Sequence, residues 1–375
     1  MPDMSQVQPV AFNCEGGLVL NRSTFMMQAG EALELQNFEP DIAGGYRRIN
    51  GFSKYVSAIV PATSSDSEPI LMVATFGDFV LAARGTSIYS ATAGGSSWTS
   101  RDSGRTSASK YRFERYNFDG TDKIIVVDGA NDPTIFNSSL AATDVTESTV
   151  EGSKFVAAFK NHMFYAGKST TPQTLVFSEP FDEDDFDAAD GAGSIKVDDT
   201  IVGLKVFRDS LFIFCENRIF KLTGSALASF AVGLRTVAGT ARIGDVELGT
   251  ISKNVQSLFD QNIKDSSLFE SIVIPDKTQY RIFFVKDTVA GSLTRGVICV
   301  MKGDRFEFSE TLGIRPSATD TFVDAGDVLI LHGSFEGYII RQEKGNTFDG
   351  TSILGRYRSP DLNFGDSGLR KHMQR

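Results

Sequence analysis

The chain has 375 residues and 40.8 kDa, with 41% hydrophobic and 22% charged residues. That composition excludes wholesale disorder and allows two or three ordinary domains, or one large all-β domain with appendages. A net charge of −10 and a pI near 5.0 exclude a sequence-independent DNA or RNA binder, which needs a positive surface to displace counterions. They do not exclude a protein that nucleic acid slides past, and an acidic balance also serves solubility. Thirty Phe stand against 9 Tyr and 1 Trp, with 35 Gly and only 11 Pro, a mixture that suits many short strands joined by tight turns. Cys14, Cys215 and Cys299 are far apart and odd in number, so neither a disulfide framework nor a CxxC metal site is expected, and synthesis in a reducing compartment is. The N-terminus lacks the basic start and apolar run of a signal peptide, and no window approaches 18 consecutive apolar residues.

In chain order, residues 1–49 read as an extended arm with one short strand around Ala32–Leu35. A unit then recurs: an apolar strand, a short polar turn and a denser apolar strand. Its copies are MVATFGDFVLAARGTSIYSAT, YNFDGTDKIIVVDGANDPTIFNS, FVAAFKNHMFYAG, IVGLKVFRDSLFIFCENRIFKLTG, SIVIPDKTQYRIFFVKD and TFVDAGDVLILHGSFEGYIIRQE. Anchored on the apolar residue before each turn (Phe76, Phe118, Phe159, Phe207, Ile274 and Phe322), the intervals are 42, 41, 48, 67 and 48 residues. Most match the roughly 40–50-residue blade period of a β-propeller. Runs such as Ile124 to Val127 and Leu211 to Phe214 are apolar on both faces, and stacked blades cover both without long free edges. Asp119-Gly120, Lys160-Asn161 and Arg208-Asp209 supply the turns.

The 67-residue interval holds Thr250 to Ser271, where Ile251, Val255, Leu258, Phe259 and Ile263 recur at helical spacing. This predicts a short amphipathic helix packed against the propeller rim. Residues 346–375 alternate around Ile353, Leu354, Tyr357 and Leu362 and carry Arg356, Arg358, Arg370, Lys371 and Arg375. They read as a basic C-terminal β extension. The reading is therefore an all-β propeller of six or seven blades over 50–345, a helical insertion near 250–271, an N-terminal arm (1–49) and a C-terminal β extension (346–375).

Catalytic chemistry finds little support. Seven carboxylates lie between Glu179 and Asp190, but from Asp185 the fifth calcium-loop position is Ala189 and Asp190 replaces the glycine. A solvated inter-blade loop is the expectation. A glycosidase needs one carboxyl in an apolar pocket, and these sit in a hydrophilic stretch. Only His162, His332 and His372 exist, without zinc spacing, and His162 is expected at an exposed turn. No GxSxG, GxxxxGK[ST] or GxGxxG occurs, so no nucleophile elbow or nucleotide cradle is expected, nor any cofactor.

Four segments carry a resemblance. LVFSEPFDEDDFD…SIKVDDTIVGLKVFRDSLFIFCENRIFKLTG, GGLVLNRSTFMMQAGEALELQNFEPDIAGGYRRINGF, KIIVVDGANDPTIF and GRYRSPDLNFGDSGLRK are similar to segments of podovirus-type bacteriophage tail nozzle (tail tubular) proteins. They occur in that family's order and span most of the chain. The resemblance implies a propeller beside a β-rich body, assembled as a hexameric ring around the DNA channel of a virion tail. Synthesis would be in the host cytoplasm, the partners would be other copies, an adaptor ring and tail fibres, and DNA would pass without specific binding. The chain stops about where the family's second β body continues, so a shorter homologue, a truncated product or a component at another tail level is expected. The expected role is structural and non-enzymatic. A virion propeller recognising a host glycan or protein is the alternative, and a propeller glycoside hydrolase the second. Arg47, Arg48, Arg356, Arg358, Arg370 and Lys371 are the candidate assembly-interface residues, basic groups able to meet acidic patches on a neighbour.

Overall fold

In the strand Lys123–Val127 four apolar residues divide between two partners. Ile124 and Val126 pack towards one neighbouring sheet, Ile125 and Val127 towards the other, and all are at most 1% exposed. A strand covered on both faces needs a sheet stacked on each side of it. Each such side chain contributes roughly 1.5–3 kcal/mol on burial, so this alternation of partners is a main force building the fold.

The computed structural model describes residues 13–106, 110–224, 231–235, 251–262, 268–289, 291–303, 305–324 and 326–361. It is a six-bladed β-propeller, 45% strand and 5% helix, which resolves the six-or-seven ambiguity of the sequence. The arm holds β1 (Glu34–Gln36), β2 (Phe38–Pro40) and β3 (Tyr46–Arg48), followed by β4 (Phe52–Lys54). The first blade is β5 (Ile70–Phe76), β6 (Phe79–Arg84), β7 (Ser87–Thr92) and β8 (Thr99–Ser103). The second is β9 (Arg112–Tyr116), β10 (Lys123–Val127), β11 (Thr134–Phe136) and β12 (Ala142–Asp144). The third is β13 (Phe155–Phe159), β14 (His162–Ala166), β15 (Thr174–Phe177) and β16 (Gly193–Lys196). The fourth is β17 (Ile201–Phe207), β18 (Ser210–Cys215), β19 (Ile219–Thr223) and β20 (Ala231–Arg235). Helix α1 (Gln256–Asn262) precedes the fifth blade, β21 (Glu270–Ile274), β22 (Gln279–Phe284), β23 (Arg295–Lys302) and β24 (Arg305–Leu312). The sixth begins with β25 (Ala318–Asp324), β26 (Asp327–Gly333) and β27 (Ile339–Gln342), and the chain continues through β28 (Thr347–Phe348), β29 (Thr351–Ser352) and β30 (Arg356–Arg358).

The chain ends complete the last two sheets. β4 pairs antiparallel with β27, placing Phe52 opposite Gln342, and β28 and β29 extend that sheet. β1 adds parallel to β24, and β30 pairs antiparallel with β1 through Leu35 and Tyr357. The arm therefore contains three strands where the sequence suggested one, because β2 and β3, each only three residues long, pair with each other across a turn that periodicity does not reveal.

Apolar clusters seal the junctions. Leu211 and Ile213 of the fourth blade meet Phe164 and Phe177 of the third, Ile272 and Phe283 of the fifth meet Ile330 of the sixth, and Leu331 and Ile339 of the sixth meet Val73 and Val80 of the first. Another side of the fifth blade, with Phe284, Val297 and Phe308, is covered by Leu18, Ala32 and Leu35 of the arm and by Val255 and Leu258 at α1. Of the other helical-spacing positions, Ile251 is exposed and Ile263 lies outside the described residues.

The predicted anchors fall at the first hairpin of each blade, Phe118 in the turn after β9 and Phe322 two residues before the end of β25. At Lys160 and Asn161 φ is 51° and 64°, both in the left-handed region that a two-residue hairpin of matching twist demands.

Candidate functional site

Lys110, Tyr111, Arg112, Phe113 and Glu114 lead into and along the innermost strand of the second blade. Alternate strand residues point to opposite faces. Tyr111 and Phe113 pack into the junction with the first blade. Lys110, Arg112 and Glu114 are the intervening positions. All of this stretch borders an axial cavity of about 350 Å³, bounded also by Met72, Phe155, Leu204, Lys205, Glu270 and Thr319. The innermost strands of all six blades contribute to its wall.

The charges in the cavity are unevenly matched. Lys110 is ion-paired with Glu270, whose other oxygen accepts from Thr319 Oγ1 at 3.1 Å. Burial raises the Glu270 carboxyl above the usual range, with Lys110 opposing. Burial likewise raises Glu114, with Lys205 opposing. Arg112 is pushed down by burial, with Glu270 opposing, and has no carboxylate within ion-pair distance among the described residues. Its Nη1 donates to the Lys154 carbonyl at 3.3 Å, and the guanidinium lies 4.6 Å from the centre of the Phe155 ring. A second hollow of about 570 Å³ shares Lys110, Arg112, Phe155 and Glu270 and continues to the end where the inner strands begin, beside Ile70 and Ser317. Further along the axis, Asp320 accepts from the Thr75 amide at 2.7 Å and pairs with Arg115, tying the sixth, first and second blades together.

The predicted assembly residues lie elsewhere. Arg47 and Arg48 are on β3, Arg356 and Arg358 on β30, and all four are exposed; Arg370 and Lys371 lie outside the described residues. The two strands belong to one layer, since the Tyr46 and Tyr357 rings are 5.8 Å apart. Arg47 pairs with Glu39 at 2.8 Å and Asp41 at 3.1 Å, and Arg356 lies 3.7 Å from Glu34. Arg48 and Arg358 make no ion pair among the described residues. The arm and extension also expose Phe25 (81%), Met26 (76%) and Leu354 (60%).

Beneath this layer Glu39 is buried and surrounded by donors. It accepts from Arg47 Nε at 2.8 Å, Lys277 Nζ at 2.6 Å, Gln279 Nε2 at 3.1 Å and Arg281 Nη2 at 3.0 Å. Arg281 also lies 2.7 Å from Glu343. Burial alone would raise Glu343, but Arg281 and Lys277 hold it below the usual carboxylate range.

Two expectations are corrected. The acidic stretch joins β15 to β16 inside the third blade, so it is not an inter-blade loop, and it is not uniformly solvated. Glu183 is buried, pairs with Lys123 at 2.7 Å, and its carbonyl accepts from Tyr165 Oη at 2.9 Å. Asp184, Asp185, Asp187 and Asp190 are exposed, and a hydrogen bond with Asp182, then burial, pushes Asp184 up to about 6. Among the described residues no three His, Cys, Asp or Glu side chains converge as a metal site. His162 is fully buried, not at an exposed turn, because it is the first residue of β14 and its Nδ1 lies 2.6 Å from the Ser178 carbonyl.

The axial residues were missed by sequence reasoning. Their signal is the alternation Lys110-x-Arg112-x-Glu114 in a first strand, where the first and third blades have the apolar ILMVATF and FVAAF.

No protein-family model and no curated protein matches the chain. Solved structures that resemble it include an auxiliary nutrient binding protein from Bacteroides thetaiotaomicron at 8% identity and TM-score 0.42, covering 77% of this chain and 75% of that one. The extracellular domain of a putative one-component system from the same organism is similar at 9% identity and TM-score 0.45, over 77% of this chain and 39% of that one. The computationally designed Ika8 protein is similar at 8% identity and TM-score 0.39, over 77% and 99%.

Proposed function

We propose that the chain is a structural subunit of a bacteriophage tail, of the nozzle type, that multimerises as a ring around the DNA ejection channel. The observation that carries this reading is the set of four family-like segments in family order along the chain. The layer built from both chain ends supports it, because exposed Arg48 and Arg358, together with Phe25 and Met26 exposed in the arm, suit a contact with an acidic and partly apolar neighbour. A closed ring of identical subunits uses one patch against a different patch on the next copy. The acidic loop of the third blade, with Phe181 58% exposed, has the complementary charge.

The test is a map of intact particles together with a charge reversal. Copies arranged around the tail axis, with Arg48 and Arg358 at inter-chain contacts, are the expected result. Arg48→Glu with Arg358→Glu should leave the subunit folded and reduce tail completion at least tenfold. Absence of the chain from purified particles would refute the role, and arginines lining the bore would refute the assignment of these residues. A propeller that binds host cells alone, or that turns over a glycoside, would favour the other readings.

A further inference from the structure

We infer that the axial cavity binds a small aliphatic carboxylate, with Arg112 as its principal partner and Lys205 as a second cation. Within a chain of net charge −10, the cavity collects three cations, Lys110, Arg112 and Lys205, against two carboxylates, Glu114 and Glu270. One cation is already used, since Lys110 is paired with Glu270, which is also hydrogen-bonded by Thr319. Burial raises the Glu114 carboxyl, and Lys205 opposes that rise. Arg112 cannot shed its charge, because a guanidinium stays protonated. Its half-buried fork is left with one long hydrogen bond to a carbonyl and the face of Phe155.

A partly desolvated guanidinium whose nearest carboxylate, Glu270, is already paired with Lys110 lacks a partner of its own, and a carboxylate matches its planar donors bidentately. Leu204 and Val206, both half-buried, give part of the wall an apolar face that suits the hydrocarbon part of an organic acid. The volume, about 350 Å³, lies at the lower end of small-molecule sites, so a ligand of a few carbons fits. The hollow that shares Arg112 and Phe155 gives a route of entry from one end of the propeller. The inference does not depend on a role in a virion.

The experiment is calorimetric titration of the full chain with succinate, inorganic phosphate and chloride at matched ionic strength, with melting curves alongside. Succinate is expected to bind one per chain and raise the melting temperature by mass action, with phosphate weaker and chloride without effect. Arg112→Met should weaken succinate at least tenfold and Lys205→Met several-fold. If Arg112→Met does not fold, Arg112→Lys keeps the charge, loses the fork and should weaken succinate several-fold. Succinate no better than chloride, phosphate tighter than succinate, or unchanged affinity in the folded Arg112 variant would each overturn the proposal.

Discussion

The four blades between Ile70 and Arg235 are each a contiguous meander, whereas the fifth and sixth sheets are finished by strands from both ends of the chain. In the first group a blade's hydrogen bonds close locally and its neighbours supply the covering apolar faces. In the second group β1, β4 and β28 to β30 bring residues some 300 positions apart into register. The same propeller is thus held by two kinds of bond. Local pairing makes the blades, and long-range pairing at the ends, pinned by buried charge, makes the closure.

The largest break in that comparison should come from Glu39→Ala. It strips Arg281, a side chain 1% exposed, of one of its two carboxylate partners, and losing one partner of a buried ionic cluster costs about 3–5 kcal/mol. Urea unfolding measures the loss. Hydrogen exchange should rise first in 34–48 and 356–358 while β10 and β14 stay protected; a uniform rise would show that the two regions are one cooperative unit.

Next comes Gly51→Val. A Cβ at Gly51 would lie 2.0 Å from the Thr347 carbonyl oxygen, at the join between β4 and β28. Such overpacking against backbone costs about 1–3 kcal/mol. Gly120→Ala, in a second-blade turn with nothing within 4 Å but φ of 86°, should cost less, about 1–2 kcal/mol from conformation alone. The reverse order in thermal melts would mean that closure is more pliant than the blades.

Acid should act on the closure through His332. This imidazole is buried beside Gln342, 2.8 Å from Nδ1, with the Phe52 ring edge-on at 5.7 Å, and burial pushes its pKa down to about 3. The folded value lies below the unfolded one, near 6.5, so its stabilising effect is present above pH 6.5 and is lost as pH falls towards 3. Between pH 6 and pH 5 the loss should be about 1 kcal/mol. His332→Gln should flatten that slope, and an unchanged slope would remove His332 as its cause.

The smallest effect belongs to the third-blade loop. Asp184→Asn with Asp185→Asn should shift stability by no more than about 0.5 kcal/mol, while Glu183→Gln, which removes the charge paired with Lys123, should cost more, about 1–2 kcal/mol. Equal effects would mean that the buried and exposed carboxylates of this loop are not distinct.

What was legible in the sequence divides along the same line. The hairpin anchors and the 67-residue break could be read because local alternation and turn chemistry are written in neighbouring residues. Of the arm, the strand around Ala32–Leu35 was legible as Glu34–Gln36, but its partners Glu310 and Tyr357 were not, and the three-residue strands β2 and β3, paired only with each other across a turn, are too short to show a period. Glu183 and His162 looked solvated because composition reports the company along the chain, and their company in space is Lys123, Tyr165 and Ser178. Arg112 and Glu114 were readable in principle, as charges at every second position of a strand whose counterparts in the first and third blades are apolar, but they were overshadowed by the larger run of carboxylates between Glu179 and Asp190.

The pairing of Phe52 with Gln342 also sets a schedule for the nascent protein. A ribosome adds about 5–20 residues per second, so β4 emerges some fifteen seconds to a minute before its partner exists. During that wait the first blade lacks Leu331 and Ile339 against Val73 and Val80, and one apolar flank stays bare. Contacts of such sequence separation form late and slowly. The half-made ring is therefore the stage most exposed to aggregation or chaperone capture, and release from it comes only when β27 is translated.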